Sequence, residues 1–289
     1  MTLAESEEAR AKVNLNLAVV GRDAVGYHLL ETVMAFADGA SDTVGLSVAS
    51  EGPDRLALTG RFADNLLAET DNLLLRATRA IRQHVPRVPS VHWALDKRLP
   101  VAAGIGGGSA DAGAALRLLG QRFDVDAGTL KEIAVGLGAD VPVALYNRAV
   151  WATGRGETLA DVRLPPVPAI LVNAGEPCET PSVFKAYRDT GRAFSAPAEA
   201  PPKWSSRRDL IAWCRTAGND LEPAARIVAP SFGAALAAIR ATRACGFAAM
   251  SGSGATCFGL FEDASAARAA ASAIAVDYPA WWVRAVTIR

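Results

Sequence analysis

Three short stretches of this chain combine residue types that can do chemistry. The first is "AKVNLNL", Ala11 to Leu17. In an extended chain Val13, Leu15, Leu17 and Val19 fall on one face, and Lys12, Asn14 and Asn16 on the other. The ordinary form of that pattern is a half-buried strand with a wet outer face. A lysine in line with two asparagines is also what a polar pocket for a charged substrate needs.

The second stretch is "LPVAAGIGGGSADAGAALRLL", Leu99 to Leu119. Gly104, Gly106, Gly107 and Gly108 precede a run of strong helix formers that includes Leu116, Leu118 and Leu119. Glycines there let the backbone approach a ligand closely. The first N–H groups of the helix can then meet an anion, aided by its dipole. The spacing is not that of a dinucleotide fingerprint: its third glycine is missing, and "DKRLPVAA" is no apolar strand end. No lysine follows the glycines as in a Walker A loop, and neither H-R-D nor D-F-G occurs. An anion site at a helix start remains, or a flexible link before a helix. The third stretch, "MSGSGATCFG" (Met250 to Gly259), is either a second source of backbone N–H donors or a tight turn before a strand. Two such segments in one chain strengthen the nucleotide-phosphate reading.

Composition frames these stretches. The chain has 289 residues, 51% of them hydrophobic, which suits one large domain or two ordinary ones. Thirty basic residues balance thirty acidic ones. No overall field favours nucleic acid or an anionic membrane, so a charged substrate must be held by a local cluster. Cys178, Cys214, Cys245 and Cys257 form no CxxC pair, and there are three histidines. Neither a zinc site nor a disulfide framework is expected, and a reducing cytoplasm fits. The start "MTLAESEEAR" lacks the apolar core of a signal peptide. The uncharged run Ala244 to Phe261 contains "MSGSGAT", which suits a lipid-spanning helix badly. A soluble protein is expected.

The elements that must position these residues mix strand and helix without a regular βαβ rhythm, which favours an α+β fold. "GRDAVGYH" is a turn. "NLLLRATRAIRQHV" reads as a helix, "VHWALDK" as a strand, and "DAGTLKEIAVGLG" as a helix with an aspartate cap and a glycine stop. "AVWATGR" and "PAILVNA" read as strands, and "APAEAPPKWSSRR" as a surface loop. "PSFGAALAAIRATRACG" reads as a helix. "ATCFGLF", "SAARAAASAIA" and "WWVRAVTI" continue as strand, helix, strand. The boundary between two halves falls within Gly154 to Leu164, dividing the chain as 1–158 and 159–289.

The glycine-rich stretch resembles the phosphate loop P-x-x-x-G-[LI]-G-x-[GS]-S of the GHMP kinases, with Pro100, Gly104, Ile105, Gly106, Gly108 and Ser109 on the pattern. "AKVNLNL", "GRDAVGYHLLETV", "GIGGGSADA", "GADVPVAL", "TPSVFKAY" and "MSGSGATCF" follow in the order of one branch of that family, from about Ala11 to Phe258. That branch phosphorylates the 2-hydroxyl of 4-diphosphocytidyl-2-C-methyl-D-erythritol with ATP, in the non-mevalonate route to isoprenoid precursors. The resemblance implies a two-lobed α+β fold. The ATP-binding N-terminal domain would be like ribosomal protein S5 domain 2 and the C-terminal domain ferredoxin-like, with the substrates meeting in the cleft between them.

It also implies roles. Asp140 of "GADVP" is the expected general base, and Lys12 its partner, offsetting charge on the γ-phosphate. Read alone, Asp140 is a turn aspartate before Pro142. Asn14 is placed near the acceptor. Tyr27 and His28 of "GYH" match a cytidine-recognition pair, with Phe184 on cytosine's other face and Thr180 and Lys185 beside ribose or diphosphate. Each of these is, in isolation, an ordinary core or loop residue. Gly104, Gly106, Gly107, Gly108 and Ser109, with Pro100 and Ile105, are expected to cradle ATP, and Mg²⁺ to bridge its phosphates, with Ser109 as a candidate protein ligand.

The chain departs from the pattern in places. Arg10 stands where the family often has proline, Ala110 where many members carry a second serine, and "VAAG" replaces a more glycine-rich run, which predicts a less mobile loop. The small molecule is the expected partner, with no nucleic acid or membrane, and the protein acting as monomer or homodimer. Two alternatives stay open: another GHMP small-molecule kinase, or a non-catalytic nucleotide-binding relative.

Overall fold

Helix caps and strand alternation set most element boundaries in the computed structural model, which describes residues 5–66, 71–198 and 200–289. The chain begins with β1 (Glu5–Asn14), β2 (Ala18–Arg22), β3 (His28–Ala49) and β4 (Arg55–Thr59), then α1 (Leu73–His84) and β5 (Ser90–Asp96). The helices α2 (Gly107–Phe123), α3 (Ala127–Leu137) and α4 (Val141–Tyr146) follow. Next come β6 (Val150–Gly154), β7 (Thr158–Asp161), β8 (Val167–Asn173), α5 (Thr180–Asp189), α6 (Arg207–Ala217), α7 (Glu222–Val228) and α8 (Phe232–Ala241). The described chain ends with β9 (Cys245–Met250), β10 (Cys257–Phe261), α9 (Ala264–Asp277) and β11 (Trp282–Ile288). No helix among the described residues is long and apolar enough to cross a membrane.

These elements group into two compact units that do not follow one cut of the chain. The first unit takes the described part of Met1–Ala11, then Ala40–Val101 and Gly106–Asn147. The second takes Lys12–Gly39, Ala102–Ile105 and Arg148–Arg289.

In the first unit, β5 pairs antiparallel with the end of β3, Thr43 opposite Asp96 through Ala49 opposite Ser90, and parallel with β4. Period-2 alternation turns Val91, Trp93 and Leu95 inward with Val44 and Leu46. Burying one such side chain contributes roughly 1.5–3 kcal/mol. Leu74, Ala77 and Ile81 of α1 and Leu116 and Leu119 of α2 complete this core. The Asp126 cap is the one the sequence suggests, and Asn72 caps α1 as well. Asn72 Oδ1 accepts from the N–H of Leu74, and Asp126 Oδ1 from those of Gly128 and Thr129. At Gly113 in α2, an added Cβ would lie 2.6 Å from the carbonyl carbon of Ala144, so α4 packs there on bare backbone.

In the second unit, β9, β10, β8 and β11 pair antiparallel in that order. The start of β3 pairs antiparallel with β2 and β6. Every residue of β8 is buried, as expected of a strand with a paired neighbour on each side and both faces covered. Ile170, Val172, Met250 and Phe261 meet Phe232, Leu236 and Ile239 of α8 and Ala267 and Ile274 of α9.

Candidate active site

The alternating run around Lys12 is not one strand with a wet face. β1 stops at Asn14, β2 begins at Ala18, and Lys12, Asn14 and Asn16 are all buried. Their polar groups are absorbed by a directed chain of hydrogen bonds. Lys12 Nζ donates to Asn14 Oδ1 at 2.8 Å, which orients the amide, because an ammonium can only donate. Asn14 Nδ2 donates to Thr32 Oγ1 at 2.9 Å, and Thr32 Oγ1 donates to the carbonyl of Asn16 at 2.5 Å. Asn16 Oδ1 in turn accepts from the N–H of Val33. Asn16 is therefore a clasp between the β1–β2 connection and β3, whereas Lys12 and Asn14 form the end of the chain that carries charge. Satisfied networks of this kind fix side-chain positions. Thr32 went unread in the sequence because the strand that carries it went unread.

The phosphate-loop residues divide between the units. Ala102–Ile105 belong to the second, and every carbonyl in this piece accepts a hydrogen bond. Ala102 receives the N–H of Cys178 at 3.0 Å, Ala103 that of Thr256 at 3.0 Å, and Ile105 that of Lys12 at 2.9 Å. Gly104 receives Ser251 Oγ at 3.1 Å. Gly104 has φ +71°, and a Cβ there would lie 2.5 Å from the carbonyl oxygen of Gly254. The two glycine-rich segments thus pack on each other. The second is less a donor of N–H groups than a brace: its Ser251 and Gly254 N–H groups are used inside its own turn, which Asn219 Nδ2 holds through the carbonyls of Met250 and Gly252. Thr180, at the start of α5, joins this brace through a 2.8 Å hydrogen bond to Ser253 Oγ.

In the first unit Pro100 is buried, Gly106 (φ +65°) occupies the N-cap position of α2 without a side-chain cap, and Gly107, Gly108 and Ser109 form its first turn. The small residues keep that turn accessible to an anion. Ala110 is in the core, where a serine hydroxyl would be buried. Beneath the turn lies a charge cluster that sequence reading missed. Lys97 Nζ donates to Asp42 Oδ2 at 2.5 Å and to Asp111 Oδ2 at 2.7 Å, all three side chains being almost fully buried. Asp42 Oδ1 also accepts from the N–H groups of Arg98 and Leu99, fixing the entry to the loop. Burial pushes the Asp111 carboxyl up, to about 7; Lys97 pulls against this and Asp42 adds to it. Burial also opposes the charge of Lys97, but Asp111 and Asp42 outweigh it and hold the ammonium above its ordinary range. Arg10, standing in place of the family's proline, donates to the side chain and carbonyl of Asn147. Asp140 occupies the N-cap position of α4, with Pro142 in its first turn, and its carboxylate makes no capping bond.

The aromatic residues gather in the second unit. Asp23 Oδ1 accepts from the N–H groups of Val25 and Tyr27, which forms the β2–β3 turn and presents Tyr27 to solvent. Arg155 lies over the Tyr27 ring at 4.3 Å and is paired with Asp23. His28 is buried, stacked on Phe184 at 4.9 Å and 22°, with Tyr187 edge-on. Burial, with Arg22 and Arg188, lowers the His28 pKa and keeps the ring neutral. Lys185 projects from α5 and pairs with Asp189 on the same helix.

Residues 72–148 match the family pattern of the GHMP kinases N terminal domain, and residues 205–279 that of the GHMP kinases C terminal. The chain is 44% identical to a 4-diphosphocytidyl-2-C-methyl-D-erythritol kinase of Bradyrhizobium diazoefficiens, covering 98% of this chain and 97% of that one. It is 45% identical to the Rhodopseudomonas palustris kinase of the same name, over 96% of this chain and 95% of the relative. A crystal structure of 4-(cytidine 5'-diphospho)-2C-methyl-D-erythritol kinase superposes with a TM-score of 0.78 at 33% identity, over 98% of this chain and 99% of that one. A mevalonate kinase from L. major shares the fold, with a TM-score of 0.69 at 12% identity.

Proposed function

We propose, for a chain that belongs to the 4-diphosphocytidyl-2-C-methyl-D-erythritol kinase family of GHMP kinases, that Asp140 and Lys12 carry the phosphoryl transfer and that Tyr27, His28 and Phe184 hold the cytosine. The reaction moves the γ-phosphoryl group of ATP to the 2-hydroxyl of 4-diphosphocytidyl-2-C-methyl-D-erythritol, giving the 2-phosphate and ADP, in isoprenoid precursor biosynthesis. The acceptor is a crowded tertiary alcohol. Asp140 takes its proton as the new bond forms, and Lys12 offsets the charge gathering on the transferred group. The observation that carries this reading is the Lys12–Asn14–Thr32 chain, which holds a buried ammonium in one orientation.

Gly104, Gly106, Gly107, Gly108 and Ser109, together with Pro100 and Ile105, form the loop that binds the ATP phosphates through backbone N–H groups. Asn14 lies beside the acceptor, and Thr180 and Lys185 serve its ribose and diphosphate. Mg²⁺ belongs to the same proposal. Such an ion would be held mainly by phosphate oxygens and water; among the described residues there is no group of three or more His, Cys, Asp or Glu that could hold a metal. Ser109, half-buried in the first turn of α2, would add its hydroxyl. When bound, the ion neutralises charge on the β- and γ-phosphates. The protein works in the cytoplasm, as monomer or homodimer, with its cysteines reduced; all four are free thiols here.

The test is ADP release by the purified protein with ATP and a panel of acceptors. Turnover with the cytidylyl acceptor, and none with homoserine or mevalonate, is expected; no turnover with the cytidylyl acceptor overturns the reading. Asp140→Asn is expected to cut kcat by about 10²-fold or more with little change in KM. Near-normal kcat in that variant would remove Asp140 from the mechanism.

A further inference from the structure

The hairpin that presents His28 also decides which of its ring nitrogens carries the proton. Arg22 closes β2 and His28 opens β3, and the two are direct cross-strand partners across the Asp23–Tyr27 turn. Their contact is therefore set by strand register and not by a chance reach of a long side chain. Arg22 Nε donates to His28 Nε2 at 3.2 Å. A guanidinium has no acceptor, so Nε2 must supply a lone pair, and a neutral ring then carries its hydrogen on Nδ1. The Phe194 ring centroid also lies 5.8 Å from the Arg22 guanidinium carbon. Stacking on Phe184 and edge contact with Tyr187 fix the plane of the imidazole, and hence the direction of the Nδ1–H bond.

We propose that Arg22 is a specificity-determining residue: by locking His28 as a neutral Nδ1–H donor, it makes the site read cytosine and reject uracil. The inference rests on the reading of His28 as a nucleobase contact. Cytosine offers an acceptor at N3, which an N–H donor satisfies. Uracil offers N3–H, which would set donor against donor. An imidazole free to exchange its proton could accept from uracil instead, so the discrimination depends on Arg22 as much as on His28. Leaving a buried donor without a partner is the strongest form of rejection available to such a site.

Two measurements test this. The first compares kcat/KM for the cytidine-linked acceptor and its uridine-linked counterpart. The wild type is expected to prefer cytidine by ~10²-fold or more, and Arg22→Met to narrow that ratio by about 10-fold. The narrowing should appear mainly in acceptor KM, with KM for ATP unchanged. The second follows the ¹⁵N resonances of the His28 ring in the protein without substrate. Protonated Nδ1 and bare Nε2 are expected in the wild type, and a mixture of tautomers in Arg22→Met. Arg22→Gln, whose amide can donate or accept, should give an intermediate result in both, and decides the matter if Arg22→Met fails to fold. An unchanged base ratio in the variants, or Nε2–H in the wild type, overturns the proposal. A wild type that turns over neither acceptor instead overturns the reading of the function, and the ¹⁵N measurement still decides the tautomer.

Discussion

Tyr27 and His28 are neighbours with opposite fates: one ring is 61% exposed and the other 8%. Tyr27 is held by Arg155, itself anchored on Asp23, while most of the residue stays exposed. Tyr27→Ala is expected to raise acceptor KM about 10-fold by loss of base stacking, while KM for ATP stays within about twofold. Collapse of ATP affinity would show that the ring serves the nucleotide donor. The motif "GYH" was legible in the sequence, but its supports were not. Arg155 and Arg22 reach these rings through strand pairing and turn geometry, which no local spacing encodes. The same holds for Lys12. Its partner Asn14 stood out at two residues' distance, whereas Thr32 depends on the pairing of a later strand.

At the scale of elements, α2 presents its first turn with a buried carboxylate beneath it. Asp111 titrates near 7 in the folded chain, against an ordinary value of 3.8. The folded state therefore holds a proton that the unfolded state gives up between those values. This contribution to stability is complete below about pH 4 and is lost as pH rises through about 7. The wild type should accordingly lose melting temperature, relative to Asp111→Asn, as pH rises from 5 to 8. Parallel profiles for the two proteins would contradict the account. Helix α3 was readable because Asp126 announces its start, and α1 because its run of helix formers is long; the Asn72 cap appears only in the structure. Strand β3 was not: its middle, from Val33 to Ala37, is buried on both faces and lacks alternation, and Gly39 and Gly45 imitate turns. Only its many pairing partners make it a strand.

Across the whole molecule, the α+β class and the order of the motifs were legible, but the grouping of segments was not. The sequence reading divides the chain as 1–158 and 159–289, and the family patterns cover residues 72–148 and 205–279. The compact units, in contrast, exchange chain at 11/12, 39/40, 101/102, 105/106 and 147/148. The reason is physical: cores assemble by contacts between residues far apart in sequence. Leu17 and Val19 sit in the same core as Ile170 and Phe261. Fragments cut at 158 should therefore fail to fold cooperatively on their own, seen as absent sigmoidal melting by circular dichroism. A well-folded 159–289 fragment would show that Leu17 and Val19 are dispensable. A last consequence follows from the four anchored carbonyls of Ala102–Ile105. Their conformational entropy is surrendered when the chain folds and not when nucleotide arrives, so binding begins from an already quiet loop. Amide hydrogen exchange at Lys12, Cys178 and Thr256, whose N–H groups make three of these bonds, should be slow without ATP and change little on its addition. Strong protection appearing only with nucleotide would mean that the loop is ordered by its ligand.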